Sequence, residues 1–345
     1  MNITEETKKY YGETLQKSSD LKTNACCTLE KIPPFIKEKL KNIHSEVLDT
    51  YYGCGLVVPD CLENTNILDL GCGTGRDVYL LSQLIDTGNI VGLDMTEKQL
   101  AIAQKHHQYH LEKFQLEPKQ IQFCLGNIDE LESVKLDMKF DLVISNCVIN
   151  LCQDKKKVLQ NIYNKLEFGG EFYFSDVYAS QRLPEDLKND PVIWGECLGG
   201  ALYWNDFLNY AKSVGFSDPR LVKSSGIDIK NRELERKLGD IKFYSATYRL
   251  FKLPNLLESD CEDYGQAVIY QGTIPENPHF WMLDNHHKII SHKIFPVCGN
   301  TWNMLFHSRF QKHFQFIGNF DRHYGIFEGC GKGIPFETGD SGSCC

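Results

Sequence analysis

The sequence feature that most constrains the fold is a glycine-rich turn at residues 71–75, between an apolar run and a helix-like segment. The stretch NILDLGCGTGRDVYLLSQL predicts a short buried strand that ends at Leu70, a turn with glycine at every second position, and a helix. Backbone without a Cβ can turn tightly and bring its amide groups close to a ligand. We therefore expect a strand, turn and helix that present the turn to a bound molecule.

Strands and helices alternate after this turn. The second strand, NIVGLDMT, ends in an acid, and a helix is predicted around residues 96–114. The runs IQFCLGNI, FDLVISNCVINL and EFYFSDVY predict three more strands, with the helix VLQNIYNKL and a turn at Gly169-Gly170 before the last of them. This alternation is typical of βαβ units, so we expect an α/β fold: a doubly wound, Rossmann-like sheet with helices on both faces.

Four segments are predicted along the 345 residues, a length that exceeds what one compact core usually uses. Residues 1–60 form a lead segment and residues 61–180 the Rossmann-like domain. Residues 181–251 form a glycine-rich insert with the final strands, and residues 252–345 a small C-terminal α+β domain with a Cys344-Cys345 tail. We expect the insert to cover the strand ends of the sheet.

Charge and cysteine content narrow the classes of function. The net charge is −9 and no Lys/Arg cluster offsets it, which argues against nucleic acid as a partner. The first residues lack the basic-then-apolar pattern of a signal peptide, and no apolar run reaches about 18 residues, so we predict a soluble cytoplasmic protein that does not bind membranes. Reducing compartments keep thiols free, so the 14 cysteines indicate metal, metalloid or redox chemistry.

Several features indicate a nucleoside cofactor. Asp94 ends the second strand, where a carboxylate can accept hydrogen bonds from both ribose hydroxyls. A glycine turn and an acid fit NAD and S-adenosylmethionine alike, but the G-x-G-x-G spacing, the preceding Asp69 and the later GNID resemble the class I S-adenosylmethionine methyltransferases. In that family the residues equivalent to Asn127 and Ile128 border the adenine; the alternatives are that Asp69 caps the turn and Ile128 is core. The predicted cofactor-binding residues are Asp69, Gly71, Cys72, Gly73, Gly75, Arg76, Asp94, Met95, Asn127, Ile128 and Asn146.

Two cysteines fall where the transferable group of such a cofactor would lie. Asn146 and Cys147 follow the strand FDLVIS, and ligands collect at the carboxyl ends of strands in open α/β sheets. Cys197 lies in the glycine-rich insert, within WGECLGGAL. A thiol from the sheet and a thiol from its cover can share one soft ion, although two unrelated buried cysteines fit the spacing equally well.

The order of motifs adds a family resemblance. TNACC, YYGCGLVVP, DLGCGTGRDVYLLSQL, GLDMT, SNCVINL, EFYFSDVY, WGECLGGALYW and YSATYRLFKL follow one another as in the arsenite methyltransferases, from about Tyr10 to Leu253. The chain resembles a member of that family. The resemblance implies four functional cysteines, Cys26, Cys54, Cys147 and Cys197, of which the last three hold arsenic. Cys27 stands next to Cys26 and is the alternative at that position.

The resemblance also implies the reaction: successive methylation of trivalent arsenic by S-adenosylmethionine to mono-, di- and trimethylated products, for detoxification. Trivalent arsenic is soft, prefers thiolate sulfur and has a nucleophilic lone pair, so no catalytic base is expected. Two thiols that close into a disulfide would return the two electrons that arsenic loses. An external reductant, glutathione or a thioredoxin-type dithiol, would then reopen the disulfide. The expected substrate is trivalent arsenic or its thiol conjugate.

Two other functions stay open at this stage. One is a methyltransferase for a small carbon, nitrogen or oxygen substrate, with its thiols merely buried. The other is a thiol-rich metal-binding or zinc protein, for which the C-terminal histidines are the best support, although none shows the tight spacing of zinc ligands. Those histidines are His279, His286, His287, His292, His307, His313 and His323.

Overall fold

The structure is a computed structural model that describes residues 32–49, 53, 55–229 and 231–330. The chain divides between Lys252 and Leu253 into two compact units. The predicted division into four segments is finer than these two units and stays a prediction. In the described part of the chain, no helix is both long enough and apolar enough to span a membrane.

The first unit is an α/β fold built on one large sheet. Its helices are α1 (Pro34–Leu40), α2 (Ser45–Leu48), α3 (Arg76–Leu81), α4 (Glu97–Lys105), α5 (His107–Phe114), α6 (Lys155–Lys165), α7 (Glu185–Lys188), α8 (Pro191–Gly195), α9 (Trp204–Ser213) and α10 (Arg232–Leu238). Its strands are β1 (Ile67–Leu70), β2 (Ile90–Asp94), β3 (Ile121–Leu125), β4 (Phe140–Asn146), β5 (Leu166–Ala179), β6 (Leu202–Tyr203), β7 (Arg220–Gly226) and β8 (Phe243–Phe251).

Strand order confirms the predicted doubly wound sheet. The order is β3-β2-β1-β4-β5-β8-β7, and β6 pairs with β5. The strands from β3 to β5 are parallel, whereas β8 runs antiparallel to both β5 and β7. The chain reverses its direction of winding at β1, because β2 and β4 lie on opposite sides of that strand. The carboxyl ends of β1, β2 and β4 therefore meet at one edge of the sheet, where ligands bind in such folds.

Alternating apolar side chains cover both faces of the sheet. Leu68 and Leu70 of β1 pack with residues of α6 and α9 on one face. Ile67 of the same strand packs with residues of α1, α3, α4 and α5 on the other. A third buried cluster combines the end of β5 with Cys147, Cys197 and residues of α8 and α10. The strand alternation thus produces a layered core and leaves one apolar cluster beyond the strand ends.

Two predicted local features are wrong in detail. The helix predicted over 96–114 is broken at His106, whose backbone leaves the helical conformation and whose ring contacts Glu46 at 2.7 Å and stacks on His44. The predicted turn at Gly169-Gly170 lies inside β5. Gly169 N donates to Lys252 O and Lys252 N donates to Gly170 O, each at 2.9 Å. These backbone bonds keep the glycines within the sheet, and the pairing of β4 with β5 shifts register nearby.

The second unit is a small α+β fold. Its elements are β9 (Glu262–Asp263), β10 (Gln266–Tyr270), β11 (Phe280–Met282), β12 (Lys288–Ile290), β13 (Ile294–Val297), α11 (Gly299–Phe306), β14 (Phe314–Ile317) and β15 (Gly325–Ile326). Strand β10 is central to the antiparallel sheet β13-β10-β14. Trp281 is fully buried and its ring lies 4.6 Å from that of Phe310 and 5.6 Å from that of Phe314. These aromatic contacts form the core of the unit.

A buried ion pair joins the parallel and antiparallel halves of the large sheet, and it yields a stability prediction. Glu171 Oε1 of β5 lies 2.6 Å from Arg249 Nε of β8, and both side chains are almost fully buried. We expect Glu171→Gln to lower the free energy of unfolding by about 3–5 kcal/mol, because it leaves the guanidinium buried without its counter-ion. Glu185→Gln, which removes the exposed partner of Lys188, should cost less than about 1 kcal/mol. Urea unfolding measures the free energy of unfolding of both variants. Equally small losses in the two variants would contradict a special role for the buried ion pair.

Candidate active site

The glycine turn is a cradle that side chains would fill. Gly71, Gly73 and Gly75 have φ angles of 74°, 52° and 83°, a region that L-residues with a Cβ rarely adopt. A Cβ on Gly71 would lie 2.5 Å from a methyl group of Val148. A Cβ on Gly75 would lie 2.9 Å from the ring of Phe123. The turn therefore needs glycine both for its conformation and for its close approach to neighbouring elements.

Asp94 closes the side of this cradle. Its Oδ2 accepts a hydrogen bond from Gly73 N at 2.9 Å, and its Oδ1 accepts one from Thr96 N at 2.7 Å. Burial raises the pKa of this carboxyl, while these backbone bonds oppose the rise. The Thr96 side chain and the Met95 backbone also donate to this carboxylate. The strand end thus fixes a carboxylate beside the glycine turn, at the position where an acid contacts a ribose in such folds.

Asp69 adds a buried acid beneath the turn. Within the described residues its Oδ2 has no hydrogen-bond partner. Burial raises its pKa well above the usual range, and the nearby carboxylates of Asp77 and Asp94 raise it further. Asp77 Oδ1 accepts a hydrogen bond from Arg76 Nη1 at 2.9 Å. A ligand with positive charge and hydrogen-bond donors suits such a concentration of acids, and S-adenosylmethionine has both.

The other predicted cofactor residues lie in the turn itself or directly after β2 and β3. Cys72 is buried, and burial raises the pKa of its thiol well above the usual range, which disfavours the thiolate. Met95 is half-buried directly after Asp94. The Asn127 side chain accepts a hydrogen bond from Asp129 N at 3.0 Å, and Ile128 belongs to the core cluster. The Cys72 side chain therefore packs in the core and is not a thiolate ligand, while its backbone forms part of the glycine turn.

Asn146 connects the lead segment to this region. Its Nδ2 donates to Gly55 O at 2.8 Å and to Asp77 Oδ2 at 3.4 Å. A Cβ on Gly55 would lie 2.7 Å from Ser175 Oγ. Gly55 is thus held against the ends of β4 and β5. Cys26 and Cys54 lie outside the described residues, as do Cys27, Cys344 and Cys345.

Cys147 follows β4 directly and is buried. Its φ of 58° is in the left-handed region, and its N donates to Ser175 O at 2.8 Å. The side chain is disulfide-bonded. A cysteine with positive φ is uncommon, and such strained positions concentrate at functional sites.

Cys197 lies beside it. This residue follows α8, is fully buried, and also has a positive φ, at 62°. Its Sγ donates to Cys147 O at 3.5 Å. Both cysteines belong to the apolar cluster beyond the strand ends, with Val177 and Ile193. The structure therefore brings together the two cysteines that the sequence placed on the sheet and on its cover.

The predictions missed Asp176 and Asn150, which lie under the Cys147 loop. Asp176 is a buried acid in the strand EFYFSDVY, and it accepts a hydrogen bond from Asn150 N at 3.0 Å. An acid in a largely apolar strand is a signal, because a buried carboxylate needs local hydrogen-bond donors. Glu171 of the same strand gives the same signal but pairs with Arg249. Asn150 carries no such signal in the sequence.

The histidines of the second unit do not support a metal centre. Among the described residues, the one group of three metal-ligating side chains is His44, Glu46 and His106, all in the first unit. The rings of His44 and His106 stack with centroids 3.6 Å apart and planes 19° apart. The His44 Nδ1 already accepts the Glu46 N–H. Among the described residues, no C-terminal histidine belongs to a group of this kind.

Comparisons with known proteins agree with this geometry. Residues 62–215 match the family model of a methyltransferase domain, and residues 264–330 match that of the arsenite methyltransferase C-terminal domain. The fold, the glycine cradle and the matched domain thus define an S-adenosylmethionine-dependent methyltransferase of the Rossmann-like class.

Individual relatives specify the family. The arsenite methyltransferase of Aquipseudomonas alcaligenes is 53% identical over 99% of both chains. The human arsenite methyltransferase is 45% identical, over 90% of this chain and 83% of its own. The crystal structure of an arsenic(III) S-adenosylmethionine methyltransferase from Chlamydomonas reinhardtii has a TM-score of 0.83 at 44% identity, and the match covers 86% of this chain and all of that one (100%). The chain belongs to the arsenite methyltransferase family.

The glycine cradle yields a prediction about cofactor binding. We expect Gly71→Ala to raise the Kd for S-adenosylmethionine at least about tenfold, because the new methyl group meets Val148 and the backbone conformation is strained. Gly226→Ala is the matched control, since a Cβ there has no atom within 4 Å. Isothermal titration on both folded variants measures the effect. Wild-type affinity in Gly71→Ala would refute the proposed position of the cofactor.

Proposed function

We propose that this enzyme transfers methyl groups from S-adenosylmethionine to trivalent arsenic held by Cys147 and Cys197. The observation that carries the proposal is the contact between these two residues, where Cys197 Sγ lies 3.5 Å from Cys147 O. They come from a strand end and from a segment that covers it, in a buried apolar cluster. Two sulfur atoms in such surroundings suit a soft, thiophilic substrate.

The cofactor would bind next to this sulfur pair. The backbone of Gly71, Gly73 and Gly75 would contact its amino-acid portion, and Asp94 its ribose hydroxyls. When bound, S-adenosylmethionine supplies a methyl group on a positively charged sulfonium. Gly71 packs against Val148, the neighbour of Cys147. This direct packing of the two loops supports placing the arsenic close to the methyl group.

The residues around the sulfur pair would orient the substrate without exchanging a proton. Trivalent arsenic bound to sulfur keeps a lone pair, which attacks the methyl carbon. Val177, Ile193 and Leu198 are fully buried in the cluster around Cys147 and Cys197. Such a lining excludes water and favours positioning as the source of rate enhancement.

Cys54 is proposed as the third arsenic ligand, and Cys26 as the thiolate that restores the trivalent state. Methyl transfer leaves a cationic pentavalent arsenic with one methyl group and three sulfur ligands. The Cys26 thiolate attacks one arsenic-bound sulfur, a disulfide forms, and the pair of electrons from that arsenic–sulfur bond returns to arsenic. The product is neutral trivalent methylarsenic on the two remaining sulfurs. The position of Gly55, held by Asn146, supports a role for the adjacent Cys54.

An external reductant would reopen the disulfide for the next cycle. Glutathione or a thioredoxin-type dithiol can do so by thiol–disulfide exchange. The disulfide at Cys147 supports the view that sulfur at this site passes between the thiol and disulfide forms. Repeated cycles would give mono-, di- and trimethylated arsenic, and would serve arsenic detoxification. Dependence on reduced thiols favours a cytoplasmic location.

The central test replaces each core sulfur. We expect Cys147→Ser and Cys197→Ser to abolish methylation of both arsenite and trivalent monomethylarsenic, because a hard hydroxyl does not replace a soft thiolate. Arsenic speciation after incubation with S-adenosylmethionine and a dithiol measures turnover. Cys261→Ser, in the second unit, is the control and should keep its activity. Turnover of either substrate by both core variants would refute the two-thiol core.

A second test separates arsenic binding from reduction. Arsenite has three valences to fill with sulfur, whereas monomethylarsenic needs only two thiolates. We therefore expect Cys54→Ser to lose most methylation of arsenite and to keep that of trivalent monomethylarsenic. The Cys26/Cys27 double serine variant, which lacks the attacking thiolate, should complete one methyl transfer to either substrate but turn over slowly. Single-turnover assays with excess dithiol separate the chemical step from slow recycling.

The outcome for Cys54→Ser decides this division of roles. Equal loss of both substrates, with the fold and the affinity for S-adenosylmethionine intact, would show that Cys54 is as essential as Cys147 and Cys197. The proposed three-thiolate and two-thiolate states would then be wrong.

A further inference from the structure

Asp176 lies under the loop that begins at Cys147. The residue is on β5, next to Ser175, whose carbonyl accepts the Cys147 N–H. The Asp176 carboxylate is 2% exposed and accepts hydrogen bonds from Asn150 N at 3.0 Å and from Ile149 N. Hydrogen bonds to a carboxylate are stronger than those between neutral groups. This carboxylate is therefore a fixed anchor for the loop that carries Cys147.

The same loop is also held from its other side. A Cβ on Gly200 would lie 1.8 Å from Asn150 O, so the backbone of the Cys197 segment packs directly on the Cys147 loop. The Asn150 side chain donates to Val177 O. Asn150 is thus bonded to β5 through its backbone N–H and its side chain, while its carbonyl contacts the segment that carries Cys197. A shift of Asn150 would change the position of one cysteine relative to the other.

Lys155 connects the two sulfur-bearing segments at a second point. Its Nζ donates to Cys152 O at 2.9 Å, at the end of the Cys147 loop. The same ammonium lies 5.4 Å from the ring centroid of Trp194 on α8, the helix that leads to Cys197. Burial lowers the pKa of Lys155, and the nearby Cys152 and Asp176 oppose that shift. The half-buried Lys155 thus contacts both the Cys147 loop and α8, close enough to Asp176 of β5 to be attracted by its charge.

We propose that Asp176, with Lys155, is a positioning residue that sets the geometry of the two arsenic-binding cysteines. The inference rests on the proposed function, because it assumes that Cys147 and Cys197 share one arsenic atom. Asp176 acts through the backbone of residues 149 and 150, from which it accepts hydrogen bonds. Displacing one reacting group by about 1 Å can lower a rate about a hundredfold, so an anchor of this kind affects substrate use directly.

Asp176→Asn is the primary test, because it keeps the shape of the side chain and removes its charge and one acceptor. Burial raises the pKa of Asp176 to about 7, so assays near pH 8.5 compare the variant with an ionised carboxylate. We expect the Kd for trivalent monomethylarsenic and the KM for arsenite to rise about tenfold, while the Kd for S-adenosylmethionine stays within about twofold. Isothermal titration and steady-state kinetics give these values.

Lys155→Met is the second variant, because it keeps the apolar stem and removes the ammonium. This variant should raise the Kd for trivalent monomethylarsenic and the KM for arsenite by a smaller factor. It also tests the positioning role if Asp176→Asn does not fold. Asp284→Asn is the matched control. Asp284 is a buried carboxylate in the second unit that accepts backbone hydrogen bonds from His286 and His287. This control should leave both Kd values unchanged.

Two outcomes would overturn the proposal. One is wild-type arsenic affinity and KM in the folded variant, and the other is an equal loss of affinity for arsenic and for S-adenosylmethionine, which indicates a general structural role. Cys147→Ser separates the proposal from the function on which it rests. If Cys147→Ser loses arsenic binding while Asp176→Asn keeps it, the positioning role fails and the proposed function stands. If Cys147→Ser also keeps arsenic binding, the proposed function fails.

Discussion

The contact between Gly71 and Val148 is the constraint on which the arrangement of the site depends. Gly71 begins the turn after β1, and Val148 follows Cys147 after β4. A single methyl group on Gly71 would overlap Val148, with 2.5 Å between carbon atoms. The two loops can approach this closely only because one of them has no side chain. The cofactor loop and the sulfur loop therefore form one packed unit, and a change in either is transmitted to the other.

The strand order explains why these loops meet at all. Because β1 lies between β2 and β4, the acid at the end of β2 and the cysteine at the end of β4 flank the glycine turn from opposite sides. Asp94 fixes the turn through Gly73 N, and Asp176 fixes the Cys147 loop through Asn150 N. Both anchors are buried carboxylates that accept backbone N–H groups. Bonds of this kind offset part of the cost of burying charge and hold the loops rigidly.

Local features of this fold could be predicted from the sequence, whereas contacts between distant segments could not. The strand, the turn and Asp94 follow from a pattern within 30 or so residues, in which an apolar run ends at glycine or at an acid. At the break in the helix, the His106 ring contacts Glu46, which lies 60 positions earlier in the chain, and helix propensity does not predict a contact between such distant residues. The course of β5 through Gly169 likewise depends on bonds to Lys252. Asp176 was not predicted, because Glu171 of the same strand is also an acid and the partner Asn150 is defined only by the folded loop.

Backbone conformation, taken together with the contact between them, supports a functional role for the two cysteines. Cys147 and Cys197 both have φ near 60°, where a residue with a Cβ costs roughly 1–2 kcal/mol relative to glycine. Glycine or asparagine would satisfy the same turns at lower cost. Cys61 also has a positive φ, of 60°, so this conformation alone does not identify a functional cysteine. Cys147 and Cys197 differ from Cys61 because they lie together in the apolar cluster beyond the strand ends, and strain combined with this contact favours a requirement for sulfur at each.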